Sequence, residues 1–527
     1  MIRFDKVSFG FPQKDLYENI SFTLEDGEHA VLIGPNGSGK STLVNLMMHE
    51  EKYTYEGTIS KDSSMRVGYV RQFVEHEKNT KTVFEFLSEP FEQLQKKSDD
   101  LCRKMEEGTD LESVYDEYQT VMDEIDAVDG YNYESNIKKE LATAGILELK
   151  DNALEAISGG EYKLLYIIRN MLLKPQLLVL DEPDVFLDFE NLIGLSKLIN
   201  EYEGTVLTIT HSRLLLNQCF DKVLDIENQN VREFAGTFAE YNDWLLETKV
   251  ELFENAHDMD EFIELQKDLI DKIRDRAEMQ PDPMVGRRLR ARVTYLERLV
   301  KMRGEDPFVE DIRYEFTLPE VENEEDQQVL ISVKDYCLSY DRPILSDVTF
   351  DVMRGDKIAI VGPNGSGKSS LLKELYMRLK EMYSGQVGFF RQIIEEDNVA
   401  ASGGEKDIAQ IKELCESDYS ILLMDEPSSH LDIYAQRALE EAIRNYKGTV
   451  VIVSHDFYTV TNCTQRVIKL EDHTAREMSG RAYRKSIYKN YFSSDIFEEE
   501  RLRIDKELKV KKLIKEGNFE EAKELLK

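Results

Sequence analysis

The string Gly34-Pro35-Asn36-Gly37-Ser38-Gly39-Lys40-Ser41 occurs twice in this chain, and Gly362-Pro363-Asn364-Gly365-Ser366-Gly367-Lys368-Ser369 repeats it letter for letter. Each copy has a glycine, four residues and then Gly-Lys-Ser, the pattern of a loop that wraps phosphate oxygens in backbone N–H groups. The glycines let the backbone close on the anion without side-chain obstruction. Lys40 and Lys368 are expected on the β- and γ-phosphates, Ser41 and Ser369 on Mg²⁺, and Thr42 and Ser370 just behind them. Apolar runs, Ala30-Val31-Leu32-Ile33 and Ile358-Ala359-Ile360-Val361, precede the loops and read as buried strands. A helical pattern follows each, and its N-terminus adds partial positive charge. A chain so built binds two nucleoside triphosphates.

The repeat extends well beyond the loops. Glu18-Asn19-Ile20-Ser21-Phe22 resembles Ser346-Asp347-Val348-Thr349-Phe350, and Val67-Gly68-Tyr69-Val70-Arg71-Gln72 matches Val387-Gly388-Phe389-Phe390-Arg391-Gln392. Ser158-Gly159-Gly160-Glu161 matches Ser402-Gly403-Gly404-Glu405, with the offset fallen from 320 to 244, so the second copy lacks 76 residues before this point. The same 244 relates Asp181-Glu182-Pro183 to Asp425-Glu426-Pro427 and His211 to His455. Two homologous domains follow, one of them without an insert. In the first copy residues 80–150 are charged and helix-prone, with Gly130 as the expected break, and their acidity reads as a solvated face.

Strand ends carry the acidic and imidazole groups. Asp181 and Asp425 close apolar strands, where a carboxylate holds Mg²⁺ directly or through water. Glu182 and Glu426, one residue on, are placed to orient or deprotonate attacking water. A lone histidine after a strand is most often structural, but His211 and His455 recur at one spacing from Asp-Glu and so point to a γ-phosphate contact. Strand and helix patterns alternate throughout both copies, which implies an α/β fold with mainly parallel sheets.

These motifs, in this order and duplicated, resemble the nucleotide-binding domains of ATP-binding-cassette proteins. The resemblance implies that each loop works against the Ser-Gly-Gly signature of the other domain. One site would join Lys40, Ser41, Gln72, Asp181, Glu182 and His211 to Ser402, Gly403 and Gly404. The other would join Lys368, Ser369, Gln392, Asp425, Glu426 and His455 to Ser158, Gly159 and Gly160. Gln72 and Gln392 would stand by Mg²⁺, Phe11 and Tyr340 would stack adenine, and Leu187-Asp188 and Leu431-Asp432 would cross the dimer seam. Pairing within one chain implies a monomer.

Two tandem cassettes joined by a helical linker resemble the ABC-F subfamily of ribosome-associated ATPases. Gly236-Thr237-Phe238-Ala239-Glu240-Tyr241 resembles that subfamily's entry into its linker. The resemblance implies ATP and Mg²⁺ as cofactors, the ribosome as partner, binding at the tRNA exit site, and a role in tuning translation or displacing ribosome-targeting antibiotics. This chain departs from the subfamily's Asp-Glu-Pro-Thr-Asn-His-Leu-Asp, reading Asp184-Val185-Phe186 in the first copy and Ser428-Ser429 in the second. The missing residues shorten the second helical subdomain, so the Lys368 site, facing the complete one, is expected to carry most hydrolysis.

The linker carries its own signal. Leu252, Ala256, Met259, Ile263, Ile270, Ile273 and Ala277 form a helical stripe, and Pro281-Asp282-Pro283 breaks it. Leu289, Val293, Leu296 and Val300 run back, which predicts an antiparallel helical hairpin. From Lys272 to Arg303 ten basic residues face four acids, so this segment is +6 in a chain of net charge −36. Overall acidity argues against nucleic acid as a partner, and this tip reverses the sign. Arg287, Arg288, Arg290 and Arg292 suit rRNA or tRNA phosphates.

The expected organisation is a first cassette over 1–242, its helical subdomain at about 80–160, and a hairpin over 243–304. A connector over 305–328, a second cassette over 329–482 and a charged helical tail over 483–527 follow. The absence of long uncharged runs predicts no membrane span. Five scattered cysteines without Cys-x-x-Cys spacing suit a reducing cytoplasm. Two rival readings are an ATP-gated scaffold with vestigial hydrolysis and the ATPase subunit of a membrane transporter.

Overall fold

The computed structural model describes residues 1–12, 14–62, 65–74, 76, 79–106, 111–279, 292–294, 296–297, 314, 316–321, 328–339, 343–392, 403–491 and 496–527. The chain divides into two compact units. One comprises Met1–Phe238 with Tyr314–Tyr491, and the other Ala239–Arg313 with Phe492–Lys527.

The first unit holds both cassettes, each built on a six-stranded sheet. In the first cassette the strands are β3 (His29–Ile33), β5 (Val67–Val70), β6 (Leu177–Asp181), β7 (Thr205–Ile209), β8 (Lys222–Glu227) and β9 (Asn230–Ala235), in the order β5-β6-β7-β3-β8-β9. All neighbours pair in parallel except the edge pair β8–β9. The central strands β6 and β7 are buried along their whole length, as a parallel sheet under helices requires. An antiparallel sheet of β1 (Ile2–Phe11), β2 (Lys14–Leu24) and β4 (Glu56–Lys61) packs beside it around Phe4, Tyr17, Phe22 and Leu32.

The second cassette repeats the plan. Its hairpin is β10 (Val329–Ser339) with β11 (Pro343–Met353). Its main sheet joins β12 (Lys357–Val361), β13 (Val387–Phe390), β14 (Ile421–Asp425), β15 (Thr449–Val453), β16 (Arg466–Glu471) and β17 (Thr474–Ser479), in the order β13-β14-β15-β12-β16-β17. In both sheets the loop strand lies between the histidine strand and the hairpin edge, and the Asp-Glu strand lies one place further out. Loop, acid and histidine therefore converge at the carboxyl ends of three adjacent parallel strands.

The inserted subdomain of the first cassette consists of helices Val83–Glu106, Leu111–Ala127 and Tyr133–Thr143. Leu101, Val121 and Ile125 form their own small core. Gly130 sits at the turn before the last of these helices, where a Cβ would lie 3.0 Å from the Ile125 side chain.

The helix Phe238–Met279 runs for 42 residues, all but the first of them in the second unit. Ile263 and Ile270 are buried, and Leu252, Ala256, Met259 and Ile273 are half-buried, on the face the stripe predicts. Leu246 and Val250 pack with Val510 and Ala522 of the C-terminal helices Ile496–Lys515 and Phe519–Leu526. Lys523 adds an ion pair to Glu254 at 2.5 Å. The Pro281–Pro283 turn, Leu289 and Val300 lie outside the described residues, while Val293 and Leu296 fall on described helical ones. Among the described residues no helix is long and apolar enough to cross a membrane.

Candidate active sites

Each phosphate loop is shaped by left-handed glycines. Gly34, Gly37 and Gly39 have φ of 143°, 75° and 101°, and Gly362, Gly365 and Gly367 have 158°, 77° and 91°. Side chains rarely adopt such angles, so the loop needs glycine there. A Cβ on Gly39 would also meet the Tyr17 hydroxyl at 2.5 Å. Lys40 Nζ donates to the carbonyls of Gly34 (2.8 Å) and Pro35 (3.0 Å), and Lys368 Nζ to those of Gly362 (2.9 Å) and Pro363 (2.8 Å). Both lysines are buried, and burial lowers both pKa values while nearby carboxylates oppose the shift. The hydroxyls of Ser38 and Ser366 are buried without a hydrogen-bond partner among the described residues. Polyphosphate oxygens fit both orphans and both ammonium groups.

Ser41 Oγ lies 3.4 Å from Asp181 Oδ1, and Ser369 Oγ donates to Asp425 Oδ1 at 2.9 Å. Burial raises the pKa of both aspartates. A hard cation would relieve two such sequestered carboxylates, so the donor set fits Mg²⁺. Gln72 Nε2 donates to Glu182 Oε2 at 2.5 Å. Its amide thus reaches the acid next in sequence to Asp181. Gln392 follows β13 and lines the cavity beside Lys368.

Glu182 and Glu426 both have left-handed backbones, with φ of 47° and 50°. Each is held there by its own N–H, which donates to the last residue of the neighbouring histidine strand, Ile209 (2.8 Å) or Val453 (2.9 Å). Such strain in non-glycine residues concentrates at working sites. Desolvation first, then the charges of Asp184 and Asp181, push Glu182 up to about 7. Desolvation also pushes Glu426 up to about 8.

The two histidines differ. His455 donates its backbone N–H to Glu426 Oε2 at 3.1 Å, and its Nε2 lies 3.5 Å from Glu426 Oε1. Burial and the Lys368 charge lower its pKa to about 3, so the ring is neutral. His211 Nε2 is buried with no hydrogen-bond partner among the described residues, and burial drives its pKa well below the usual value.

The loops face the opposite cassette. Asn36 Nδ2 donates to the His430 carbonyl at 3.0 Å, and its N–H to Asp432 Oδ2 at 3.2 Å. Asn364 makes the twin contacts, to the Phe186 carbonyl at 2.9 Å and to Asp188 Oδ2 at 3.3 Å. A Cβ on Gly404 would lie 2.0 Å from Asn36 Nδ2, and one on Gly160 2.9 Å from Asn364 Nδ2. The first signature is rigid because Ser158-Gly-Gly-Glu161 is a capping box. Ser158 Oγ accepts from the Glu161 N–H (3.3 Å), and Glu161 Oε2 from the Ser158 N–H (2.8 Å). Gly403 and Gly404 open the helix Gly403–Glu416, and Ser402 lies outside the described residues.

A cavity of about 680 Å³ joins Ser158, Gly159 and Gly160 to Lys368, Ser369, Ser370, Gln392, Glu426 and His455, within the range of nucleotide-sized pockets. Phe11 is 50% exposed and pairs in register with Lys14, whose Nζ donates to the Gly37 carbonyl at 2.9 Å. Tyr340, Arg287, Arg288 and Arg290 lie outside the described residues, and Arg292 is exposed on described helical residues.

Three side chains that no motif marks contact the acids or the seam. Lys163 Nζ ties down the carbonyls of Glu182 (2.6 Å) and Val185 (3.2 Å). Tyr314 Oη donates to Asp432 at 3.1 Å. Arg213 is buried between the cassettes. A lysine inside an apolar helix and an arginine before Leu214-Leu215-Leu216 were the available signals.

Such loops, signatures and acids, paired head to tail, define a tandem ATP-binding-cassette ATPase. A family profile described as ABC transporter matches residues 17–185 and 345–400. The chain is 28% identical to an uncharacterized ABC transporter ATP-binding protein, YfmM of Bacillus subtilis (strain 168), over 86% of this chain and 95% of that one. It is 26% identical to ABC transporter F family member 2 of Arabidopsis thaliana over 91% and 78%. With the ATP-binding protein Uup of Escherichia coli (strain K12) the identity is 27% over 86% and 78%. The fold is shared with an archaeal ribosome recycling factor crystallised with a ribosomal stalk protein, at 16% identity, a TM-score of 0.53 and 90% coverage of both chains. Tandem cassettes and F-family relatives make the chain similar to the ABC-F family of ATP-binding-cassette proteins.

Proposed function

We propose that this ATPase acts on the ribosome: ATP binding closes the cassettes on it, and hydrolysis releases it. The observation that carries the ATP-gated part is the reciprocal seam, in which Asn36 meets His430 and Asn364 meets Phe186. Each loop meets the other cassette at its asparagine, so ATP held at a loop favours the closed arrangement. The ribosomal part rests on the F-family relatives, on the printed description of the recycling factor, and on the +6 linker segment within a −36 chain. The tRNA exit site, and tuning of translation or displacement of antibiotics, are the finer roles we assign.

In each site the lysine and the loop N–H groups neutralise the β- and γ-phosphates. Ser41 with Asp181, and Ser369 with Asp425, would hold Mg²⁺, which supplies charge neutralisation at the leaving oxygens when bound. Glu182 or Glu426 orients water and accepts its proton as the water oxygen bonds to γ-phosphorus and the bond to the β–γ bridging oxygen breaks. The left-handed backbone of each glutamate aims it, and His455 holds Glu426 from behind. Phe11 stacks the base at the first site. The signature glycines let the opposite helix approach the γ-phosphate. Arg287, Arg288, Arg290 and Arg292 contact RNA phosphates.

Co-sedimentation with ribosomes, with and without ATP, tests this. ATP-dependent pelleting supports it; pelleting only with membranes would favour a transporter subunit.

A further inference from the structure

A buried arginine ties the histidine loop of the first cassette to the second cassette, and the mirror positions carry no such charge among the described residues. Arg213, two residues after His211, is 2% exposed and crosses to the second cassette. Its guanidinium forms a fork with Glu440, one nitrogen on each carboxylate oxygen, and Nη2 also donates to Asp456 Oδ2 at 2.9 Å. It lies 4.6 Å over the Tyr458 ring. Glu440 is itself 2% exposed and accepts further bonds from Thr459 (3.0 Å) and Asn462 (3.1 Å).

Asp456 is the residue after His455. It caps the helix Phe457–Cys463 by accepting the Tyr458 N–H at 3.0 Å, and it accepts Thr459 Oγ1 at 2.7 Å. His455 in turn donates its N–H to Glu426. A short path therefore runs from the first cassette through Asp456 and His455 to the acid of the Lys368 site.

The 244-residue offset shows what stands at the mirror position. Phe457 replaces Arg213, Ser212 replaces Asp456 and Ser196 replaces Glu440. Phe457 packs its ring 5.6 Å from that of Phe189, and Ser196 Oγ bonds inside its own cassette to Gln218 at 3.1 Å. No charge crosses there among these residues.

We propose that Arg213 is a positioning residue for the Glu426 site: by clamping Asp456 it fixes His455, and through it Glu426, only when the first cassette is docked. The proposal rests on the reading of Glu426 as the hydrolytic acid. A buried Arg–carboxylate fork is geometrically demanding, so it sets position more than it adds stability. The clamp acts at the Lys368 site, and the mirror positions Phe457, Ser212 and Ser196 build no equivalent at the Lys40 site.

The test measures single-site turnover of the full chain. Arg213→Met and, separately, Asp456→Asn are introduced into a Glu182→Gln chain, where only the Glu426 site turns over, and into a Glu426→Gln chain. In the first background kcat should fall by on the order of tenfold with KM for ATP within about twofold, and in the second it should hardly change. Arg213→Met and Asp456→Asn together should be no worse than either alone, and Arg213→Lys should recover part of the rate. Equal losses in both backgrounds, or additive losses, would overturn the proposal and leave the pair a structural tie. If the Glu182→Gln chain shows no turnover at all, the reading of Glu426 fails by itself. Hydrogen exchange at residues 453–458 in ATP then decides: Arg213→Met should raise exchange there and not at 209–214, and exchange unchanged at both overturns the clamp.

Discussion

Asn36 and His430 lie 394 residues apart in sequence and meet at 3.0 Å, amide nitrogen to carbonyl oxygen, across the seam between the cassettes. Gly404 packs against both: a Cβ there would fall 2.0 Å from the Asn36 amide and 2.6 Å from the His430 carbonyl. The second of these is backbone and has little room to give. Gly404→Ala should therefore hold the seam open. ATP binding should stay near normal while turnover at the Lys40 site falls, by roughly 100-fold if the shift approaches an ångström. Turnover in a Glu426→Gln chain reads that site alone. Unchanged turnover would show that the seam need not close this tightly.

The two sites should not contribute equally. His455 contacts Glu426 through both its N–H and its ring, while His211 has no such contact to Glu182 among the described residues. The Lys368 site also faces the signature of the complete helical subdomain. Glu426→Gln should reduce steady-state ATPase activity more than Glu182→Gln does. The reverse order would place the working site on Lys40.

Asp407 offers a pH test of stability away from the acids of either site. It is 1% exposed, its Oδ1 has no partner among the described residues, and it stands where the first cassette has Lys163. Desolvation pushes its pKa from 3.8 to about 7. The folded chain thus binds this proton more tightly than the unfolded one, so the contribution is full below pH 3.8 and is lost as pH rises through 7. Asp407→Asn should raise Tm at pH 8, by a free energy of at most about 4 kcal/mol, and change it little at pH 4. Equal shifts at both pH values would contradict this assignment.

Much of this was written in the linear pattern. Apolar runs ending in glycine loops or in Asp-Glu located the parallel strands, and the constant 244-residue offset located both signatures and both histidines. Contacts set by how two domains dock were not legible. Arg213 and Glu440 are 227 residues apart, and no periodicity links them. Leu246 and Val250 against Val510 and Ala522 are a second case: the tail reads as a charged helix, and its few apolar residues reveal a partner only in three dimensions. Gln72 is a third case, since motif order gave no sign of its hydrogen bond to Glu182.

The basic linker segment gives a prediction independent of ATP chemistry. Replacing Arg287, Arg288, Arg290 and Arg292 with glutamate should weaken ribosome binding. It should also make the salt dependence shallower, by roughly one slope unit per lost phosphate contact. ATPase activity without ribosomes should be unaltered. Filter binding across a salt titration measures this, and an unchanged slope would remove the arginines from the interface.

Under the proposed function, Glu182 and Glu426 drive the ATP hydrolysis that releases the protein from ribosomes. The most direct measurement is co-sedimentation and ATP turnover of the Glu182→Gln, Glu426→Gln double variant. An amide cannot accept the proton of water, so turnover should fall by roughly 10²–10⁴-fold. With ATP bound and hydrolysis blocked, the protein should pellet with ribosomes in amounts well above wild type. Wild-type turnover, or an ATP-loaded variant that stays in the supernatant, would contradict the account.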